Sequence, residues 1–202
     1  MTWIRTTATR TATTRTATAP SPHGGALRTG VPLAATLTAG LTAGVFADWS
    51  NAIMPALAGV DDRTFVAAYR ALDASITNPL FLGAGFTGSL LLTAWALVLQ
   101  LRSGRRESVA WLGAALVCCL VVWAVTFGVH EPLNERLRTA GGPGGDGDPA
   151  ADPAAVRALL DEARWLAWNT VRAVAATLAF GCLAWTLVLH RPGDRADDVP
   201  TR

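Results

Sequence analysis

The sequence predicts an all-α fold: an integral membrane four-helix bundle with a disordered N-terminal tail and a short interfacial helix. Three observations predict it. The chain of 202 residues is 51% apolar, and its mean hydropathy of +0.32 is high for a soluble domain. Four apolar runs, Val31–Trp49, Pro79–Leu101, Val109–Val129 and Trp168–Leu189, each hold about 20 residues, enough for a helix to cross a ~30 Å hydrocarbon core. Polar residues gather where these runs end on one side of the bundle. Lipid offers backbone groups no hydrogen bonds, so runs of this kind are helical and the bilayer is their partner.

The elements follow in chain order. Residues 1–30 are Thr, Ala, Arg, Pro and Gly with no acidic residue, and TATTRTATA is low-complexity; this reads as a disordered basic tail. The four-span domain is expected over 31–190 and a cytoplasmic tail over 191–202. Between the first two runs, Asp61 or Asp62 can cap a helix. Phe65, Tyr69, Leu72 and Ile76 share one face of it, with Arg63, Arg70 and Asp73 largely elsewhere, which suggests an interfacial amphipathic helix or a lid. Arg102, Arg105 and Arg106 mark a tight second connection. The third is GGPGGDGDPAADP, a flexible acidic loop. Asp152–Pro153 then starts a helix expected to run on through Trp165 and Trp168 into the fourth run.

Charge placement sets an orientation. Arg5, Arg10, Arg15 and Arg28 precede the first run, and the second connection is arginine-rich. Acidic residues gather in the first and third connections. The positive-inside bias therefore puts both termini in the cytoplasm of a plasma-membrane, multi-pass protein. Cys118, Cys119 and Cys182 form no CxxC pair, and no Cys/His cluster has metal-ligand spacing. No GxGxxG, Walker or GxSxG motif is present, and no nucleic-acid partner is expected.

Alternation of four spans brings the end of the first, the start of the second, the end of the third and the start of the fourth together. Those ends carry Asp48, Trp49, Ser50 and Asn51; Asn78; Thr126, His130, Glu131 and Asn134; and Trp165, Asn169 and Arg172. Trp165, Asn169 and Arg172 lie at i, i+4 and i+7, on one helix face. An ionisable group at membrane depth normally faces the bundle interior and a partner. Arg172 is therefore expected to pair with Asp48 first or Glu131 second, with Asn51, Asn78, Asn134 and Asn169 satisfying what remains. The plainer readings are an aromatic belt for Trp49, Trp165 and Trp168, a snorkelling Arg172, a helix cap for Asn78 and a structural His130.

The stretches GLTAGVFADWSNAIMPAL, DDRTFVAAYRALDASITNPLF, VTFGVHEPLNERL and RWLAWNTVRAVAATLAF resemble the anthrone-oxygenase-like membrane family over roughly residues 36–190. The W-S-x-x-x-M-P, N-P and W-N-x-x-R elements carry the resemblance. It implies a four-helix integral membrane fold. For some members it implies oxidation of anthrones to anthraquinones by dioxygen without metal or flavin, so no cofactor is expected. Where the family's third-span motif has asparagine (V-N-x-P-L-N), this chain has His130, followed by Glu131, which changes the acid/base content of the pocket.

Two functions follow. One is a membrane protein whose polar cluster is structural or holds a ligand, with no assigned activity. The other is a cofactor-independent oxygenase acting on a hydrophobic polycyclic phenol. It would need a base and donors for the enolate oxygen: His130 first or Asp48 second as base, Arg172 and Asn169 as donors, Trp49 and Trp165 as stacking surfaces.

Overall fold

The computed structural model describes residues 22–189 except 105, 143–144, 146 and 149. The described residues form α1 (Pro22–Asp48), α2 (Met54–Ala58), α3 (Asp62–Ile76), α4 (Gly88–Arg102), α5 (Val109–Val125), α6 (Glu131–Thr139), α7 (Pro153–Ala158) and α8 (Glu162–Leu189). Three π-helical stretches, Trp49–Ile53, Leu80–Thr87 and Thr126–His130, join these into longer rods. Prolines flank each stretch: Pro55 and Pro132 follow the first and third, and Pro79 precedes the second. At Pro55 and Pro132 the ring gives no N–H and crowds the carbonyl one turn back, and a wider turn relieves that crowding, whereas Pro79 starts its rod with no turn behind it.

Four segments are long and apolar enough to cross a bilayer: Leu27–Ala58, Leu80–Arg102, Val109–Thr139 and Pro153–Leu189. This is a multi-pass membrane protein. α1 packs on α4 and α8, and α5 packs on the same two, so the helices form a ring in the order α1, α4, α5, α8. One end of the ring is filled by Val31, Ala35, Ala96, Leu112, Ala115 and Leu183. The middle is filled by Ala43, Phe46, Phe86, Val122, Ala173 and Ala176. Alanines at the contacts let the backbones approach closely. So does Gly40, where a Cβ would sit 3.1 Å from the ring of Phe180 in α8. Buried hydroxyls fold back on carbonyls one turn earlier, as with Thr36 on Pro32 and Thr93 on Ser89. Outside, Leu41 is 71% exposed and Leu91 61%. Such a surface belongs in lipid.

At one end the rods outrun the apolar runs and carry further helices. There α2, α3, α6 and α7 build a cap with its own core of Trp49, Phe65, Tyr69, Leu133, Leu137, Leu160 and Trp165. α1 begins at Pro22 rather than near Val31. Of the expected tails, residues 1–21 and 190–202 lie outside the described residues.

Two local expectations are corrected. Asp61 caps α3, accepting from the Thr64 N–H at 3.1 Å and its hydroxyl at 2.6 Å, and these bonds lower its carboxyl pKa. The buried face of α3, however, is Phe65, Val66, Tyr69, Arg70 and Asp73, while Leu72 is exposed. The reason is α6, which offers polar partners to that face. Arg70 donates through Nε to the Leu137 carbonyl at 2.9 Å and through Nη2 to Ala140 at 2.8 Å and Gly141 at 3.1 Å. It thereby satisfies the carbonyls that the end of a helix leaves open. Arg70→Met is expected to cost about 3 kcal/mol, from two or three lost charged hydrogen bonds. Hydrogen exchange across residues 137–142 should accelerate most.

The second correction concerns the chain before the last span. α7 stops at Ala158, and Asp161 adopts φ 51° before α8 begins, so the helix from Pro153 does not run through unbroken. Arg157 holds the break. It reaches Glu162 at 2.6 Å, Asp62 at 3.1 Å and the Val60 carbonyl at 3.2 Å, with its guanidinium 4.1 Å from the Phe65 ring centroid.

Candidate functional site

Where the bundle meets the cap, a cleft of about 80 Å3 opens to the outside. All four spans and α3 line it. The first span supplies Phe46 and Trp49, α3 supplies Tyr69, Asp73, Ile76 and Thr77, and the second span supplies Phe81, Leu82 and Phe86. The third supplies Thr126, Glu131 and Asn134, and α8 supplies Trp165 and Arg172. Each π-helical stretch contributes at least one of these side chains, as π turns often do at functional sites. The aromatic walls support one another. Trp49 lies 5.4 Å from Trp165 and 5.6 Å from Tyr69, and Phe46 meets Phe81 edge-on at 6.3 Å.

Arg172 is 7% exposed. Its Nη2 donates to Asn169 Oδ1 at 2.7 Å and its Nη1 to Thr126 Oγ1 at 3.2 Å. The guanidinium lies 4.4 Å from the Phe46 centroid and 5.8 Å from that of Trp165. Its Nε has no hydrogen-bond partner. Among the described residues no carboxylate pairs with it. The expected Asp48–Arg172 pair is thus absent. Phe46 and Trp49 are one turn apart and both face inward, which turns Asp48 outward, where it is exposed. Glu131 does line the cleft, but it pairs with Arg138 at 3.4 Å.

A hydrogen-bonded wall stands opposite. Asn134 Oδ1 accepts from the Tyr69 hydroxyl at 2.8 Å and from Trp165 Nε1 at 3.0 Å. Asn134 Nδ2 donates to Asp73 Oδ1 at 2.9 Å. Arg138 pairs with Asp73 at 3.1 Å and also with Glu135. Burial, and next the Asp73 charge, raise the Tyr69 pKa well above its ordinary value. Tyr69 therefore stays a neutral hydrogen-bond donor.

The expected site residues divide into three groups. Trp49, Asn134, Trp165 and Arg172 line the cleft. Asn169 and His130 stand behind it. Asn169 is fully buried and donates to the Phe46 carbonyl at 2.9 Å and to Ser50 Oγ at 2.7 Å. His130 is 1% exposed, edge-on to Trp165 at 5.0 Å, with Nδ1 3.4 Å from the Val125 carbonyl and Nε2 without a partner. Asp48, Asn51 and Asn78 lie elsewhere. Asn51 is exposed and bonds the Ala47 carbonyl at 2.9 Å. Asn78 accepts from the Phe81 N–H at 2.9 Å, which is a helix cap.

Tyr69, Asp73, Phe46, Phe81 and Phe86 line the cleft without having been expected there. For Tyr69 and Asp73 a signal existed, since their i, i+4 spacing puts both on one face of α3. Chemically, the cleft is lined by aromatic side chains, by the buried guanidinium of Arg172 and by the carboxylates of Asp73 and Glu131. Among the described residues no group of three His, Cys, Asp or Glu is placed to hold a metal ion.

No curated protein and no solved structure matches the chain. The family model described as anthrone oxygenase matches residues 78–182. That stretch runs from the cap of the second span into α8 and includes Phe81, Phe86, Thr126, Glu131, Asn134, Trp165 and Arg172 of the cleft. A match over more than half of the 202 residues places this four-span protein in the anthrone oxygenase family.

Proposed function

We propose that the cleft converts an anthrone-like polycyclic phenol to the corresponding quinone with dioxygen. The observation that carries this reading is Arg172, a buried guanidinium without a carboxylate, held against aromatic walls with a donor to spare. An enolate oxygen is the complement of such a group. Its charge develops during the reaction, so a fixed cation there favours the transition state over the ground state.

The steps balance without another oxidant. Asp73 removes a proton from the ring CH2 opposite the carbonyl, and the enolate charge settles on the oxygen facing Arg172. The enolate gives one electron to dioxygen. The ring radical and superoxide then combine through a C–O bond, and uptake of a proton gives a hydroperoxide. Loss of the second C–H proton with cleavage of the O–O bond leaves the quinone carbonyl and water. One oxygen atom enters the product and the other leaves as water. Asp73 takes the role of base because it lines the cleft, whereas His130 lies behind Trp165 and Asp48 lies outside. Trp49 and Trp165 flank the rings. The ring system would extend from the cleft past Thr77 and Leu82, exposed residues of its lining. The arginine-rich second connection supports a cytoplasmic location for both termini in the plasma membrane, with the cleft near the opposite face.

The test is oxygen uptake by the purified protein in nanodiscs with a simple anthrone. One dioxygen should be consumed per quinone formed, well above the spontaneous rate, and Asp73→Asn should return the rate to background. A wild-type rate equal to background would overturn the proposal.

A further inference from the structure

A second cavity, of about 110 Å3, lies between α3 and α6. Tyr69, Asp73 and Asn134 line it as well as the aromatic cleft. These three side chains are therefore a shared partition. The other walls of the outer cavity are Arg70, Ala74, Leu137 and Arg138. Its size admits several waters, since about 10–15 Å3 of such space holds one, and a water needs two to four polar partners. The Asp73 carboxylate, the Arg138 guanidinium and the Asn134 amide supply them. Ala74 is exposed and the Arg138 side chain is 40% exposed, so the outer cavity reaches solvent on the polar flank of the cap.

The partition is closed by hydrogen bonds. Tyr69 and Trp165 both donate to Asn134, and Asn134 donates to Asp73, so no organic molecule passes between the two spaces. A carboxylate in such a wall does pass a proton, because it can gain one on one side and lose it on the other.

We propose that the outer cavity is the aqueous exit for the proton that Asp73 takes up in the cleft. Protonated Asp73 passes the proton to water in the outer cavity, the hydronium leaves between α3 and α6, and the carboxylate returns to its bonds with Asn134 and Arg138. No electrons move in this step. Substrate and proton thus use separate doors. The proton's origin rests on the proposed oxygenation; the two-sided partition does not.

Two arms test it, in nanodiscs and in a background with Cys118, Cys119 and Cys182 replaced by alanine. In the first, Ala74→Cys and Ile76→Cys are treated with a charged, membrane-impermeant methanethiosulfonate, with and without anthraquinone. Ile76 lines only the cleft and Ala74 only the outer cavity. Anthraquinone should protect Ile76→Cys and leave Ala74→Cys fully reactive. Protection of both would mean one continuous space and would overturn the exit. Protection of neither would remove the ligand from the cleft and take down the oxygenase reading together with the exit. In the second arm, Ala74→Phe fills the outer cavity from an exposed position, with Ala74→Ser as control. The expected result is a kcat at least tenfold lower, KM unchanged, and partial recovery in high concentrations of a small buffer. An unchanged kcat would overturn the exit while leaving the oxygenase intact.

Discussion

Arg172→Met is expected to abolish anthrone-dependent oxygen uptake while leaving the melting temperature in detergent unchanged or higher. The two halves of that result have different causes. Loss of a single donor aimed at a developing oxyanion lowers kcat by ~10²–10³ in well-studied sites, and here the donor also carries the charge. Stability moves the other way because a buried cation without a carboxylate is costly to desolvate, by several kcal/mol. Methionine fills much of the same volume and needs no partner. Against this gain stands the loss of a donor to Asn169 Oδ1, at about 1–3 kcal/mol. Thr126 loses a donor too, yet keeps its own bond to the Val122 carbonyl at 2.8 Å. Active sites commonly trade stability for function in this way. A melting temperature that falls steeply, with no reaction to lose, would mean that the polar set only fastens the helices. That is the non-catalytic function.

Asn134→Leu is expected to destabilise the cap by about 4 kcal/mol, the summed cost of stranding three partners at roughly 1–2 kcal/mol each. Two of them, Tyr69 and Trp165, are almost fully buried, and both donate to the same Asn134 oxygen. The third is Asp73, which keeps Arg138. Asn134→Asp keeps both acceptor bonds but sets a second carboxylate against Asp73, so it should fall between the wild type and Asn134→Leu. Unfolding in mixed micelles, followed by tryptophan emission, measures both. A loss under 1 kcal/mol for the leucine variant would show that the cap does not depend on this asparagine.

The bundle was legible because lipid imposes one rule on every residue of a span. Length and hydropathy therefore located all four spans, and parity located the polar end. The cap was not legible to the same degree. Its helices are amphipathic in water-facing surroundings, and a polar residue there is buried whenever a neighbour supplies a partner. Arg70 and Asp73 face inward because α6 meets them; spacing could align Asp73 with Tyr69, but nothing within α3 records the partners that bury it. Spacing rightly put Trp165, Asn169 and Arg172 on one face. The alternation of spans then suggested Asp48, where the true opposite numbers are Thr126 and an aromatic ring. Asn78 and Asn51 drew attention by their place at the converging span ends, and both bond neighbouring backbone.

The π turns are confined to the capped end. Each one stores a surplus residue relative to regular α-helix, and passing that surplus along the rod would swivel everything beyond it by about 100°. Three such stretches contribute residues to the cleft, while among the described residues the alanine-packed half has none. The regular, alanine-packed stem and the π-interrupted end are thus built differently, and the cleft lies in the part whose helical register is offset.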